Sequence, residues 1–448
     1  MQKQNETICG FSLKRSVKVP DVSGVLHEYY HERSGARLYY LDRADQNKTF
    51  AITFKTVPED STGVFHIIEH SVLCGSEKYP VKEPFVELLK SSLQTFLNAF
   101  TFPDKTMYPV SSRNDKDFRN LVSIYLDAVF YPLMKKNPCI FYQEGRHFEI
   151  DGERVTKNGV VLNEMRGEYS SPDTVETFNI NEMLYRGTAY QHESGGHPDK
   201  IPALTYEDFV RAHDKYYHPS NAEIFLDGTV ELEKTLSLID SYLSGFEKRE
   251  LDFPLGEVLP ECNERRTVEY EIAKGESEED KSRLAIGFMA NRADEIERSI
   301  AIGFLIEVLT ATNASPLKKM MLDSGLLEDF YITGYNGILE SSVTVSFKNV
   351  KDGKLSEVEE LFYESVRGIV RLGIDRERLR ASINNLEFRQ RERDFGTTPK
   401  GIIYAMAVEE GSLYGLAPEA LLEFSNVLSE IRKRWIPIIL KDFSPSCF

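Results

Sequence analysis

Cysteine is scarce in the sequence, and the spacing of the cysteines gives them little opportunity to act together. Five cysteines occur among 448 residues, and no two of them form a Cys-x-x-Cys pair. An odd number of scattered cysteines excludes a disulfide framework and a zinc site built on thiolates. A reducing, cytoplasmic location is therefore predicted. The five are Cys9, Cys74, Cys139, Cys262 and Cys447.

Long apolar runs are also missing. The N-terminal stretch "MQKQNETICGFSLKRSVKVP" lacks the apolar core of a signal peptide. A helix that crosses a membrane needs about 20 consecutive apolar residues, and no run of even about 18 occurs in the chain. We therefore expect no signal peptide, no transmembrane segment and no membrane partner.

Positive charge is in deficit. Lysine and arginine together number 54, aspartate and glutamate number 71, and the formal net charge is −17. A strongly acidic balance argues against a nucleic-acid partner, because nucleic-acid interfaces need a basic surface. It suits neutral or cationic partners instead.

The length of the chain predicts two domains. A chain of 448 residues exceeds what one compact core usually holds. A segment rich in proline, glycine and charge, at residues 246–266, separates two halves with a similar order of strands and helices. We therefore predict one αβ domain at residues 1–250 and a second at residues 251–448, the latter beginning with a strand at residues 267–272.

Two segments carry histidines four residues apart, which is the spacing used by helical zinc peptidases. "HEYYH" at residues 27–31 has the order His-Glu-x-x-His, and "HIIEH" at residues 66–70 has the inverted order. On a helix, residues four apart share one face, so both imidazoles can reach one ion. On a strand they are about 13 Å apart, too far for one Zn²⁺ whose bonds to nitrogen are about 2 Å long.

The surroundings of the two pairs favour His66 and His70 as metal ligands. "HEYYH" is short and aromatic-rich and lies between Gly24 and Gly35, which is typical of a strand. "HIIEH" lies in an apolar run of helix length, with Thr62 as the expected helix cap. The second pair is therefore assigned to the zinc.

The inverted pattern also places a carboxylate beside the histidines. Glu69 is adjacent to His70 in the chain and one helical turn from His66. From this position it can take a proton from a water that zinc polarises, without binding the ion itself. We therefore expect Glu69 to be the general base of a hydrolytic reaction.

A third metal ligand must come from another segment. "VVLNEMRGEYS" offers Glu164 and Glu168, one helical turn apart on the same face. Two solvated carboxylates are the ordinary alternative for such a pair. The apolar lead-in "GVVL" predicts that the start of this helix is buried, where an unpaired glutamate would be costly. That argument favours Glu164 as the third ligand and leaves Glu168 as the runner-up.

Several longer motifs resemble the pitrilysin/insulinase zinc peptidases, and specifically their presequence-protease branch. The matching stretches include "STGVFHIIEHSVLCGSEKYPVKEPF", "GVVLNEMRGEYS" and "YYHPSNA", with "LEFRQRERDFGTTPKGI" in the second half. The resemblance implies one Zn²⁺ per chain, held by His66, His70 and Glu164. It also implies an α+β fold of two duplicated αβ units, each a mostly antiparallel sheet backed by helices.

The same resemblance implies an activity and a way of holding the substrate. Members of this family are zinc-dependent endopeptidases, and the chain is expected to hydrolyse unstructured peptides. In the family, the segment matching "LNAFT" is an edge strand that pairs with the substrate backbone. Asn98, Ala99 and Phe100 are therefore expected to contact substrate.

One departure from the family concerns the second half of the protein. In presequence proteases a second half closes over the first and contributes an arginine and a tyrosine near the zinc, whereas this chain ends at "LKDFSPSCF". Two expectations follow. The chain is an active endopeptidase, or it is a non-catalytic or incomplete half that binds peptide or a partner chain. The partner would be a complementary C-terminal half or a second copy in a homo-oligomer.

Other residues near the predicted site are given ordinary structural roles. His192 and His197 flank the pair Gly195-Gly196, which lacks the strand-to-helix context of a phosphate loop. Cys74 follows the predicted zinc helix and is expected to be a buried small hydrophobic residue.

Overall fold

A mixed sheet of nine strands forms the centre of the first half of the chain. The structure is a computed structural model that describes residues 7–82, 84–259, 264–392 and 395–435. Alternating apolar side chains in these strands put one row of residues into the core. Its nine strands are β1 (Thr7–Ile8), β2 (Phe11–Val19), β3 (Gly24–His31), β4 (Arg37–Asp42), β5 (Lys48–Lys55), β6 (Gln94–Leu97), β7 (Phe100–Thr101), β8 (Lys105–Ser112) and β11 (Ala222–Asp227). The strands β9 (His147–Asp151) and β10 (Arg154–Asn158) form a separate two-stranded hairpin.

The strand order brings distant segments together. Along the sheet the order is β1-β2-β3-β4-β11-β5-β8-β6, and β7 also pairs with β8. Only β4 and β11 are parallel among the pairs that the described residues form in this sheet. β6 therefore lies at an open edge, beside the two-residue strand β7.

Helices cover one face of this sheet and enclose the main core. Aromatic side chains contribute heavily, for example Phe54, whose ring meets Phe130 edge-on at 5.8 Å and Tyr217 at 4.6 Å. The helices are α1 (Val64–Val72), α2 (Pro84–Ser91), α3 (Asp115–Phe130), α4 (Pro138–Glu144), α5 (Val160–Glu168), α6 (Pro172–Leu184), α7 (Tyr206–Tyr216) and α8 (Leu232–Leu243).

The second half contains a smaller antiparallel sheet with its own core. Phe330, Phe347 and Phe362 pack together there at ring distances of 5.2 to 6.2 Å. Its strands, in the order β12-β14-β13, are β12 (Ser282–Arg292), β13 (Leu327–Tyr335) and β14 (Glu340–Val350). The helices of this half are α9 (Ile296–Thr310), α10 (Pro316–Asp323), α11 (Leu355–Leu372), α12 (Arg376–Glu392), α13 (Lys400–Leu413) and α14 (Ser425–Glu430).

The α+β fold of mostly antiparallel sheets backed by helices is confirmed. The strand predicted at residues 267–272 is wrong, because these residues pair with no strand. Their alternating pattern fits a strand, yet Val268 is 42% exposed and no sheet edge accepts the segment. The division into domains at residues 1–250 and 251–448 stays a prediction.

The described residues also bear on the cysteines and on membranes. Cys9, Cys74 and Cys139 form no disulfide with one another, and Cys262 and Cys447 lie outside the described residues. Cys74 is half-buried. None of the helices in the described part of the chain is both long and apolar enough to span a bilayer.

Helix α13 belongs to the second half in sequence but packs on the first sheet. It contacts β5, β8 and β11 on the face opposite the other helices. A Cβ atom at Gly401 would lie 2.2 Å from Thr49 Oγ1, so a glycine is needed for the helix to come this close to the sheet. The sheet is thereby covered on both faces. The buried residues between α13 and the sheet include Ala51, Met107, Phe225, Tyr404, Ala405 and Val408.

Helix α13 also buries a carboxyl group. Glu409 is 1% exposed and accepts a hydrogen bond from the Thr53 hydroxyl, while its Oε1 has no hydrogen-bond partner. Burial raises the pKa of Glu409 well above its usual value, and Glu223 adds to the rise, against the opposing effect of Thr53. A folded-state pKa above the unfolded-state value means that stability falls as the pH rises between the two.

Replacing Glu409 with glutamine is expected to stabilise the protein at about pH 8 by on the order of 1 kcal/mol, because a neutral amide is cheaper to bury than a carboxylate. The gain should shrink as the pH approaches about 3, where the carboxyl is mostly protonated in both states. Urea unfolding of both proteins at the two pH values measures the difference. A gain that stays constant or grows toward low pH would contradict this account.

Candidate metal centre

Helix α1 presents His66 and His70 on its partly exposed side. Its apolar side is buried, and the helix packs against α4, α5 and α7. This apolar side explains why the segment is a helix, since four of its residues repeat at helical spacing and are buried. They are Phe65, Ile67, Ile68 and Val72.

The start of α1 differs from the expectation. Thr62 does not cap the helix; the cap position is Gly63, with a φ of 69° and no side-chain cap. A Cβ at Gly63 would lie 2.7 Å from both the Gly195 carbonyl oxygen and Gly196 Cα. The glycines at residues 195 and 196 therefore allow a loop to pack directly on the start of the histidine helix.

Three potential metal ligands converge at α1 and α5. Nε2 of His66 and Nε2 of His70 each lie 3.6 Å from Oε2 of Glu164. One ligand atom from each side chain lies within 4.8 Å of the other two. No other group of three potential ligands with this spacing occurs in the part of the chain that the structure describes. Two imidazole nitrogens and one carboxylate oxygen are a donor set of catalytic zinc sites.

The opposite ring nitrogens of both histidines are engaged by acceptors. Nδ1 of His66 lies 2.8 Å from the carbonyl oxygen of Gly195, and Nδ1 of His70 lies 3.3 Å from Oε2 of Glu144. Burial lowers the pKa of His70, but the Glu144 hydrogen bond and the nearby carboxylates outweigh it, and the net pKa is raised. A neutral imidazole that donates from Nδ1 presents a lone pair at Nε2, the atom that faces Glu164.

Glu69 lies on the buried side of this cluster. Its side chain is 9% exposed, and Thr101 Oγ1 donates a hydrogen bond to Oε2 of Glu69. Burial raises the pKa of Glu69, and the Glu164 carboxylate adds to the rise; the Thr101 hydroxyl and the two imidazoles oppose it. The structure thus places the predicted base next to both histidines, with one carboxyl oxygen fixed by Thr101.

Glu164, the predicted third ligand, lies beside both histidines. The burial of the start of α5, which favoured it, does not include its own side chain. Val161 and Leu162 are buried as expected, whereas the Glu164 side chain is 48% exposed. The expectation that this glutamate is buried was wrong, because the apolar residues occupy the other side of α5. Glu168 is exposed and does not join the cluster.

The predicted substrate-contact residues lie at the open edge of the sheet. Asn98 and Ala99 connect β6 to β7, and Phe100 pairs with Met107 on β8. Asn98 donates its backbone N–H to the Pro109 carbonyl at 3.4 Å and accepts from the Tyr125 hydroxyl at 3.0 Å. Its main-chain groups are therefore already bonded, while its side chain is exposed.

"HEYYH" forms strand β3, as predicted. Nδ1 of His27 lies 2.8 Å from the Ser16 hydroxyl, in a contact that is exposed to solvent. His31 is buried between Ser34 Oγ at 2.7 Å and Asp240 Oδ1 at 2.9 Å. The two histidines thus have separate partners, and both serve the structure of the sheet and its connection to α8.

The fold is similar to that of solved structures titled as peptidases. A solved structure titled putative M16-like peptidase, from Alicyclobacillus acidocaldarius, superposes with a TM-score of 0.66 at 16% identity, covering 95% of each chain. Residues 57–141 match the sequence profile described as Insulinase (Peptidase family M16), and residues 203–386 match the one described as Peptidase M16 inactive domain. The chain belongs to peptidase family M16, and "HIIEH" falls within the first match.

Two curated relatives extend well beyond the region that they share with this chain. Protein HypA of Clostridium perfringens is 44% identical over 434 residues, which cover 96% of this chain and 45% of the relative. Presequence protease 1, chloroplastic/mitochondrial, of Arabidopsis thaliana is 38% identical over 416 residues, which cover 91% of this chain and 38% of the relative. The chain therefore spans less than half the length of these relatives.

Sequence reasoning missed two side chains that contact the predicted site residues, Glu144 beside His70 and Thr101 beside Glu69. Glu144 ends a short helix 20 residues before Glu164, and only the packing of α4 on α1 brings it to His70. Thr101 lies within the predicted edge segment, yet its contact with Glu69 depends on the course of β7. The one available signal was the spacing of Glu144, which lies three residues after Phe141 and four after Ile140, on the apolar face of the helix.

Proposed function

We propose that this chain is the metal-binding part of a zinc-dependent endopeptidase that hydrolyses unstructured peptides. The observation that carries the proposal is the convergence of three side chains on one point. Nε2 of His66, Nε2 of His70 and Oε2 of Glu164 face one another, and both Nδ1 atoms are bonded elsewhere. Free Nε2 lone pairs beside a half-exposed carboxylate fit a single Zn²⁺ per chain.

The three side chains would hold the ion, and the partial exposure of Glu164 leaves the site open to water and substrate. When bound, zinc supplies a Lewis acid that polarises a water or a peptide carbonyl. The chain's own contribution is Glu69. Thr101 fixes Oε2 of Glu69, and we assign Oε1 as the atom that takes a proton and later returns it to the leaving amine.

The open edge at β6 and β7 would hold the peptide. An extended substrate can add to a sheet edge through main-chain hydrogen bonds, which recognise extended shape more than sequence. Because the main-chain groups of Asn98 are already bonded, we assign main-chain pairing to Ala99 and side-chain contact to Asn98. Phe100 would contact the substrate with its half-buried ring. A cytoplasmic location and the lack of a nucleic-acid partner are proposed on composition alone.

Removal of the metal is expected to abolish peptide cleavage. Dialysis against a chelator should reduce cleavage of a quenched fluorescent peptide to background, and equimolar Zn²⁺ should restore it, because three donors without an ion cannot polarise the carbonyl. Zinc content is measured on the same samples. Cleavage that persists in protein shown to be free of zinc would reject the proposed function.

A second candidate function is favoured by the length of the relatives. Since the shared region covers less than half of them, the chain would act as an incomplete half that binds peptide and needs a partner. The partner would be a complementary half or a second copy of the chain. In that case zinc binds but turnover begins only when the complementary half is added. Cleavage by a zinc-loaded chain that elutes as a monomer would decide against this candidate.

A further inference from the structure

Glu144 is a buried carboxylate in direct contact with a proposed metal ligand. It is the last residue of α4 and is 5% exposed. Its Oε2 lies 3.3 Å from Nδ1 of His70. A buried carboxylate is costly unless it is bonded, so the position requires partners for both of its oxygens.

The second oxygen of Glu144 is also held. Gln143 Nε2 donates to Oε1 at 2.9 Å, and the Cys74 thiol donates to the same oxygen at 3.4 Å. Cys74 also lies 3.4 Å from the His70 carbonyl oxygen, which ties the carboxylate to the end of the histidine helix. The carboxylate is therefore fixed in position relative to the imidazole it contacts.

We propose that Glu144 is a positioning residue that prepares His70 for the metal. By accepting from Nδ1–H it selects the tautomer whose lone pair lies on Nε2, and it fixes the plane of the ring. Nδ1 of His66 is bonded in the same way, by the main-chain carbonyl oxygen of Gly195 at 2.8 Å. The two ligands thus differ in one respect: only the orientation of His70 depends on a side chain that can be replaced.

The packing of two helices sets this contact. Asn137 caps the start of α4 by accepting from the Cys139 N–H at 3.2 Å, and α4 packs against α1. At Gly145 a Cβ would lie 3.4 Å from two carbon atoms of Ile67, so α4 ends tightly against the helix that bears His70. The direction of α4 therefore places the Glu144 side chain beside Nδ1 of His70.

The inference rests on the proposed zinc site and is tested by zinc affinity. Glu144→Ala and Glu144→Gln are compared with the wild type by competition with a chelator of known affinity. Glu144→Ala is expected to weaken zinc binding by about 10–100-fold, as removal of such partners does elsewhere. Glu144→Gln keeps an acceptor oxygen and is expected to lose less. The visible spectrum of Co²⁺ bound in place of zinc should change in Glu144→Ala, because the ring orientation of one ligand changes.

Glu223→Gln is the matched control. Glu223 is a 1% exposed glutamate whose carboxylate accepts from the Ser412 hydroxyl at 2.7 Å, away from the histidines. Glu223→Gln should lower stability, because Arg37, 3.0 Å from Oε1, loses its ion-pair partner, but it should not change zinc affinity. Thermal unfolding of the zinc-free proteins identifies any variant that fails to fold. If Glu144→Ala does not fold, the comparison of Glu144→Gln with the wild type is the test.

The outcomes separate this inference from the proposed function. A wild type that binds no zinc rejects the zinc site itself. A wild type that binds zinc, together with folded Glu144 variants of unchanged affinity, rejects the positioning role and leaves the site intact. An equal loss of affinity in Glu223→Gln would also reject it, because the effect would then be general destabilisation.

Discussion

Replacing His70 with alanine is expected to remove zinc from the protein. The substitution deletes Nε2, one of three donor atoms that converge within 4.8 Å. Zinc binding at protein sites is worth roughly 10–16 kcal/mol in all, so the loss of one of three ligands should cost several kcal/mol, on the order of a thousandfold in affinity. Elemental analysis of the purified variant should find zinc near background.

The matched control is His31→Ala. His31 belongs to the second histidine pair and bonds to Ser34 and Asp240 instead of converging with other ligands. Its loss should leave zinc content unchanged while lowering stability by about 2 kcal/mol, since two buried hydrogen bonds disappear. Retention of zinc in His70→Ala, or its loss in a folded His31→Ala, would show that the metal has been assigned to the wrong histidines.

Replacing Glu69 with glutamine is expected to abolish cleavage while zinc stays bound. Glutamine keeps the shape of the side chain and can still accept from the Thr101 hydroxyl, but it cannot take a proton. General-base catalysis contributes about 10²–10⁴-fold, so kcat should fall by at least that factor. The measurement is cleavage of a quenched peptide by protein of verified zinc content.

Glu168→Gln serves as the control for Glu69→Gln. Glu168 lies one turn beyond Glu164 on α5, is exposed and does not join the cluster. Its substitution changes the net charge by the same amount and should leave cleavage unchanged. Undiminished cleavage in Glu69→Gln would sink the proposed mechanism, whatever the metal content.

The histidine helix and the strand "HEYYH" were predictable because both depend on local pattern. Apolar residues at helical spacing bury one side of α1, and two flanking glycines limit the aromatic strand. Glu164 was found through the same helix periodicity, although its exposure was misjudged. A periodic pattern indicates that a helix has a buried face, but it does not give the exposure of a side chain at the border of that face, such as Glu164.

The orienting contacts were not predictable, because they join atoms far apart in the chain. Glu144 and His70 meet only after α4 has packed on α1, and Gly195 meets His66 across 129 residues. The segment at residues 267–272 shows the opposite error: its sequence has the pattern of a strand, but the segment pairs with no strand. Tertiary packing decides both cases, and a local sequence pattern contains no record of it.

The docking of α13 on the first sheet has a consequence for biosynthesis. Thr53 on β5 and Glu409 on α13 are 356 positions apart. At about 5–20 residues per second, a ribosome needs roughly 20–70 s to produce the helix after it has produced the strand. For the last part of that interval, after Phe225 has been made, the apolar face around Ala51, Met107 and Phe225 has no cover from α13. The nascent first half is therefore expected to expose this apolar surface until α13 has been synthesised and has docked on the sheet.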